Sequence, residues 1–174
     1  KTVVQRLTKN DFNALFALME KSFPVDEFRV REQQEALFSD DSYVVYGLKD
    51  GNALKAFVST WQFDDFVFIE HFAVNPLYRN NGLGGKILND LLKKQKKQVC
   101  LEVELPTTVI ARRRIGFYER NGFFLNLYPY EQPPLSQGKK ALPLHVMTSG
   151  GFADEQRFRR IKSALYKKVY RKAD

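Results

Sequence analysis

The sequence predicts an α+β or mixed α/β domain in which strands and helices interleave, with an extra helix at the C-terminal end. Three observations carry this. Apolar residues recur at helical spacing in some stretches and at strand spacing in others, in the order βα(α)βββαβαββ. Three successive strand-like runs near the middle are joined by tight-turn residues, as in an antiparallel meander. The third of these runs leads through a glycine-bearing loop into a helix.

Taken in order, residues 2–7 read as a strand, and Thr8 with Asp11 has the spacing of a capping box. Phe12, Leu15, Phe16, Met19 and Phe23 then follow at helical spacing until Pro24 closes the segment. A second helix is predicted over 26–38. Strands at 43–49 and 54–63 flank Asp50-Gly51, a hairpin signal, and Asp64-Asp65 turns the chain into a strand at 66–74. A helix over 82–97 carries Leu83, Ile87, Leu88, Leu91 and Leu92 on one face. A strand at 99–105 ends at Pro106, a helix over 107–121 stops at Asn121-Gly122, and a short strand covers 123–127. Residues 128–140 read as a loop rich in Tyr, Pro and Gln, before a last strand at 142–148. Gly150-Gly151 reads as a hinge dividing a domain, 1–149, from a basic tail helix, 150–174. The tail's apolar stripe (Phe158, Ile161, Leu165, Val169) asks for a packing partner, either this domain or a second copy in a homodimer.

Composition narrows the class. A chain of 174 residues suits one ordinary domain, and 44% hydrophobic content with 15 Phe and 8 Tyr fills a core. No apolar run approaches the roughly 20 residues of a membrane helix, and no secretory leader is read at the start. The expectation is therefore a cytoplasmic protein with no membrane partner. Cys100 is the single cysteine, so no disulfide forms within the chain, and its apolar strand marks it as packing. With two histidines, His71 and His145, zinc is disfavoured and no metal is expected. The net charge is +8, but residues 151–174 contribute five of those charges, with eight Lys or Arg against three acids. The body is only mildly basic, so nucleic acid is disfavoured as a partner.

The loop after the third middle strand carries the chemistry. An apolar strand ending at Phe72, Ala73 and Val74 enters Asn75-Pro76-Leu77-Tyr78, then Arg79, Asn80, Asn81, Gly82, Leu83, Gly84, Gly85 and Lys86 as a helix begins. A helix N-terminus offers unpaired N–H groups and the positive end of the dipole, which together hold phosphate. Glycines let a pyrophosphate approach the backbone. Two better-known phosphate loops fail here. A Walker loop needs Gly at position 80, where Asn stands, and Ser or Thr at 87, where Ile stands. A dinucleotide fingerprint needs Gly at 87.

The run Arg79-Asn80-Asn81-Gly82-Leu83-Gly84 resembles the Arg/Gln-x-x-Gly-x-Gly/Ala signature of the GNAT superfamily of N-acetyltransferases, and Ala73-Val74-Asn75-Pro76 is a lead-in typical of it. A second phrase, Phe117-Tyr118-Glu119-Arg120-Asn121-Gly122-Phe123, resembles that family's Tyr-x-x-x-Gly-Phe helix end. The resemblance spans about residues 2–148. It implies a central mixed, mostly antiparallel sheet flanked by helices, opened between the strands at 66–74 and 99–105. It implies acetyl-CoA as the cofactor, bound by the backbone of Phe72, Ala73 and Val74 and by residues 79–86. It further implies acetyl transfer to a primary amine by direct attack. Many members carry an asparagine near Ala111 that bonds the pantetheine, and this chain departs from them there.

Strict alternation puts Phe66, Phe68, Glu70, Phe72 and Val74 on one strand face and His71 on the other. A carboxyl among phenylalanines should have a raised pKa, which suits Glu70 as the general base. The resemblance gives Tyr118 the role of returning a proton to the departing sulfur, and backbone N–H near Val74 that of polarising the carbonyl. Glu104 projects from the strand at 99–105, and Tyr128, Tyr130 and Glu131 lie in a stretch that in this family borders the acceptor. These four are read as substrate-binding. The alternative reading is a non-catalytic CoA-binding sensor or interaction module, which needs residues 79–84 but not Glu70 or Tyr118.

Overall fold

A computed structural model describes residues 3–172; Thr2, the first residue of the predicted opening strand, lies outside them. The described residues form seven strands and five α-helices, grouped into two compact units divided between Lys97 and Gln98.

The first unit opens with β1 (Val4–Arg6). The predicted capping box is present: the Thr8 N–H donates to Asp11 at 2.8 Å, and the Thr8 hydroxyl accepts from Asn10. Helix α1 (Phe12–Ser22) follows, burying Phe12, Leu15, Phe16, Leu18 and Met19. The predicted helix over 26–38 is broken. A 3-10 turn at Val25–Glu27 is followed by extended backbone, and α2 spans only Arg31–Ala36. The break buries two successive residues, Phe28, whose ring meets Phe16 edge-on, and Arg29. Burial has overridden helix propensity.

Strands β2 (Tyr43–Asp50), β3 (Ala53–Gln62) and β4 (Phe66–Val74) form the predicted meander, with β1 on the outer side of β2, all antiparallel. In the β3–β4 pairing, Ser59 faces His71 and Thr60 faces Ile69, which leaves Glu70 bulged out of the ladder. Helix α3 (Leu83–Lys94) packs on β3 and β4 and buries Ile87, Leu88 and Leu91.

The second unit contains β5 (Gln98–Glu104), helix α4 (Val109–Arg120), β6 (Phe123–Gln132), β7 (Leu142–Ser149) and helix α5 (Glu155–Ala164), with β7 paired antiparallel to β5 and β6. Strand β6 is twice the predicted length. The stretch read as a loop from 128 instead continues the ladder to Gln132, past a bulge between Asn126 and Tyr130. Asn126 secures that bulge. Its buried amide donates to the Val146 carbonyl and Thr148 hydroxyl, both at 3.0 Å, and its oxygen accepts from the Ala153 N–H at 2.8 Å.

The tail helix packs within this second unit. Phe158 stacks on Tyr128 with ring centroids 4.7 Å apart, and Ile161 and Leu165 are buried. After Ala164 the helix widens into a π-turn over Leu165–Val169, closed by the Tyr170 N–H donating to the Leu165 carbonyl at 3.0 Å. Among the described residues no helix is long and apolar enough to cross a membrane.

Candidate active site

In the first unit, β4 ends where Asn75 takes over. Its side-chain oxygen accepts from the Leu77 N–H at 3.1 Å, and its amide donates to the Leu54 carbonyl. This anchors a 3-10 turn at Pro76–Tyr78. Asn80 and Gly82 both adopt left-handed backbone, φ 69° and 70°, and α3 begins directly after Gly82. The first helical bond runs from the Lys86 N–H to the Gly82 carbonyl, so the N–H groups of Leu83, Gly84 and Gly85 have no acceptor within the helix. Arg79, Asn80, Asn81 and Gly82 are exposed, and space is open beyond the Gly82 α-carbon. No side chain caps this helix. The result is an open, donor-rich turn with Arg79 on the loop and Lys86 in the first turn of α3, where its ammonium lies 3.5 Å from Asp90. Phe72, Ala73 and Val74 are half-buried on the strand leading into it.

The expected neutral carboxyl among phenylalanines is corrected. The bulge breaks the strict alternation, and Glu70 turns toward polar partners. Arg29 lies 2.9 Å from one oxygen and the Trp61 indole N–H donates to the other at 2.8 Å, with the Glu70 side chain only 3% exposed. Burial pushes the Glu70 carboxyl up, but the Arg29 charge, His71 and the Trp61 N–H outweigh it and hold it below the ordinary carboxylate value. Glu70 is an anion at neutral pH.

His71 is corrected with it. Instead of pointing away from Glu70, it reaches the same 23–29 segment: Nε2 donates to the Glu27 carbonyl at 2.6 Å and the ring lies against Phe23. Burial holds the imidazole neutral by pushing its pKa down. Three members of this cluster were not singled out from the sequence. Gln34 is fully buried; its oxygen accepts from the Arg29 backbone N–H at 3.3 Å, and its amide donates to the Tyr43 hydroxyl at 3.2 Å. Arg29, Gln34 and Tyr43 gave no local signal, because each is polar only in a pocket assembled from distant segments.

In the second unit, Tyr118 lies on α4 between the rings of Phe117 and Phe123. Burial pushes its phenol well above the ordinary value, so it keeps its proton. Ala111, where many relatives carry asparagine, is buried, and its N–H donates to the Thr108 cap at 3.0 Å. Glu104 is exposed and pairs with Arg114 at 3.1 Å.

The residues read as an acceptor loop are drawn into the packing of the tail. The Tyr128 hydroxyl donates to the Ala153 carbonyl at 2.9 Å. Tyr130 is buried and donates to Glu102, which also accepts from the Tyr170 hydroxyl at 2.6 Å. Glu131 keeps an exposed side chain while its carbonyl accepts from the Tyr166 hydroxyl. A cavity of about 420 Å³ opens here between Glu131, Pro133, Pro134, Tyr166, Tyr170 and Lys172. The tail residues that line it, Tyr166, Tyr170 and Lys172, lie outside the apolar stripe of Phe158, Ile161, Leu165 and Val169.

Comparison with known proteins identifies the family. The Acetyltransferase (GNAT) family matches residues 10–123. A structure of a GNAT-family protein from Bacteroides thetaiotaomicron is 34% identical, covers 97% of this chain and 98% of its own, and superposes with a TM-score of 0.86. YjbC of Bacillus subtilis (strain 168) is 31% identical over 103 residues, 58% of this chain and 52% of its own. Both are named as putative acetyltransferases. The chain thus spans about half the length of that curated relative. Arabidopsis thaliana NAA60 in complex with acetyl-CoA shares the fold at 16% identity, with a TM-score of 0.66 over 85% of this chain and 97% of its own. The chain belongs to the GNAT family of acetyltransferases.

Proposed function

We propose that this chain transfers the acetyl group of acetyl-CoA to a primary amine of a small molecule or peptide. The carrying observation is the open left-handed turn at Gly82, with first-turn N–H groups that have no acceptor within the helix, Arg79 on the loop and Lys86 in the first turn of α3. Such a turn fits a pyrophosphate, because backbone donors and helix dipole act together on an anion. Residues 79–86 would hold it, and the strand backbone at Phe72, Ala73 and Val74 would hold the pantetheine arm. The bound thioester supplies an activated acyl carbon.

The remaining roles belong to this chain's side chains. Glu70, ionised and fixed on the bulge, accepts the proton the amine must lose, directly or through water. Tyr118, kept protonated by burial, returns a proton to the leaving sulfur. An N–H near Val74 polarises the carbonyl. On the acceptor side the exposed carboxylates of Glu104 and Glu131 are available to a cationic amine, and Tyr128 and Tyr130 support that region through their packing on the tail.

One observation favours the non-catalytic CoA-binding reading: the Glu70 carboxylate is buried and already paired with Arg29. Release of CoA thiol over a panel of amines separates the two. Amine-dependent release that falls by about 100-fold or more in Glu70→Gln, and clearly in Tyr118→Phe, supports transfer with these roles. Retained acetyl-CoA binding without release for any amine supports the sensor.

A further inference from the structure

Acetyl transfer by itself does not call for a buried arginine beside Glu70. Arg29 is 6% exposed at its side chain, and its guanidinium lies 6.0 Å from the Trp61 ring centroid as well as 2.9 Å from Glu70. A buried ion pair seldom improves on apolar residues of the same volume, because both ions are stripped of water. Stability is a weak reason for it.

The bulge supplies a stronger one. Glu70 is skipped between Ile69 and His71 in the β3–β4 register, so this pairing does not orient it. Its carboxylate is oriented by side chains instead, Trp61 on Oε1 and Arg29 on Oε2. Arg29 is itself held from behind: Gln34 bonds its backbone, and Tyr43 bonds Gln34.

We propose that Arg29 is a positioning residue of the transfer site, locking the Glu70 carboxylate in one orientation and setting the acid limit of the reaction. The proposal rests on Glu70 being the proton acceptor. The groups facing Glu70 are Arg29, Trp61, His71 and Tyr43. At neutral pH only Arg29 among them is charged, since burial keeps His71 neutral and pushes the Tyr43 phenol up. Without that cation burial prevails, Glu70 takes its proton at higher pH, and the acid limb of kcat/KM moves up with it.

The test uses the whole chain as wild type, Arg29→Met, Arg29→Gln, Arg29→Lys and Trp61→Phe. Two quantities are followed: the Glu70 carboxyl titration by 13C NMR, assigned with Glu70→Gln, and the pH profile of kcat/KM for the best amine. Arg29→Met should raise both by about 1–3 pH units, and lower kcat more than it raises KM. Arg29→Lys should restore most of both, and Trp61→Phe should shift both upward by less. If Arg29→Met does not fold, the shift in Arg29→Gln, which keeps a polar donor without the charge, decides. Unchanged Glu70 titration in the folded variants overturns the proposal, even where Glu70→Gln abolishes transfer and the base reading stands. Full kcat in Glu70→Gln overturns the base reading itself.

Discussion

Glu70 and Glu102 are both drawn out of water in this protein, and they are held in different ways. Glu70 in the first unit is met by a full cation, Arg29, and an indole N–H. Glu102 in the second is half-buried and met by two phenols, Tyr130 and Tyr170. The contrast teaches what each arrangement is suited to. A guanidinium fixes its partner's charge as well as its position. A phenol hydrogen bond positions the carboxylate, which in turn pushes the Tyr130 phenol further up beyond the effect of burial. The charge-paired site holds one buried anion in a fixed place beside its cation. The phenol-held site joins β5, β6 and the tail into one packed body.

The contrast is sharpest when one partner is removed. Arg29→Ala leaves a buried carboxylate without its cation and should cost about 3–5 kcal/mol in urea unfolding; a loss below 1 kcal/mol would mean that water replaces the arginine freely. The same cluster gives acid sensitivity of a definite sign. The folded pKa of Glu70 lies below its ordinary 4.5 and that of His71 below its ordinary 6.5. In both cases the unfolded chain binds protons first, so stability is full above those values and falls as pH drops through 6.5 and then 4.5 toward the folded pKa values. Thermal melts from pH 8 to 4 should show a declining midpoint, and a flat profile would contradict the pairing. Tyr170→Phe removes one neutral donor from Glu102 and should cost about 1.5–3 kcal/mol. Glu104→Gln is the surface reference. Its pair with Arg114 is half-exposed on both sides and should contribute less than about 1 kcal/mol.

Much of the fold was legible because its signals are local. The β4 boundaries, the capping box at Thr8 and the turn at Gly82 follow from neighbouring residues, and the structure has each where the pattern placed it. The illegible parts depend on distant partners. Nothing around Arg29 announces that it will turn inward to Glu70, and a bulge at position 70 cannot be read from an alternation that looks unbroken in sequence. Likewise the prolines and tyrosines at 128–134 read as a loop because the Asn126 bonds that secure the β6 bulge join residues far apart. The strand that carries Glu70 was therefore legible, but the partners of Glu70 and its ionisation were not.

Isothermal titration of acetyl-CoA into the wild-type chain and into Gly82→Trp tests the central claim most directly. Any side chain at position 82 meets a left-handed backbone, and tryptophan would also fill the open space over the first-turn N–H groups. The account predicts saturable binding by wild type, weakened by salt, and none by a folded Gly82→Trp chain. No binding by the folded wild type, or equal binding by both, would contradict it.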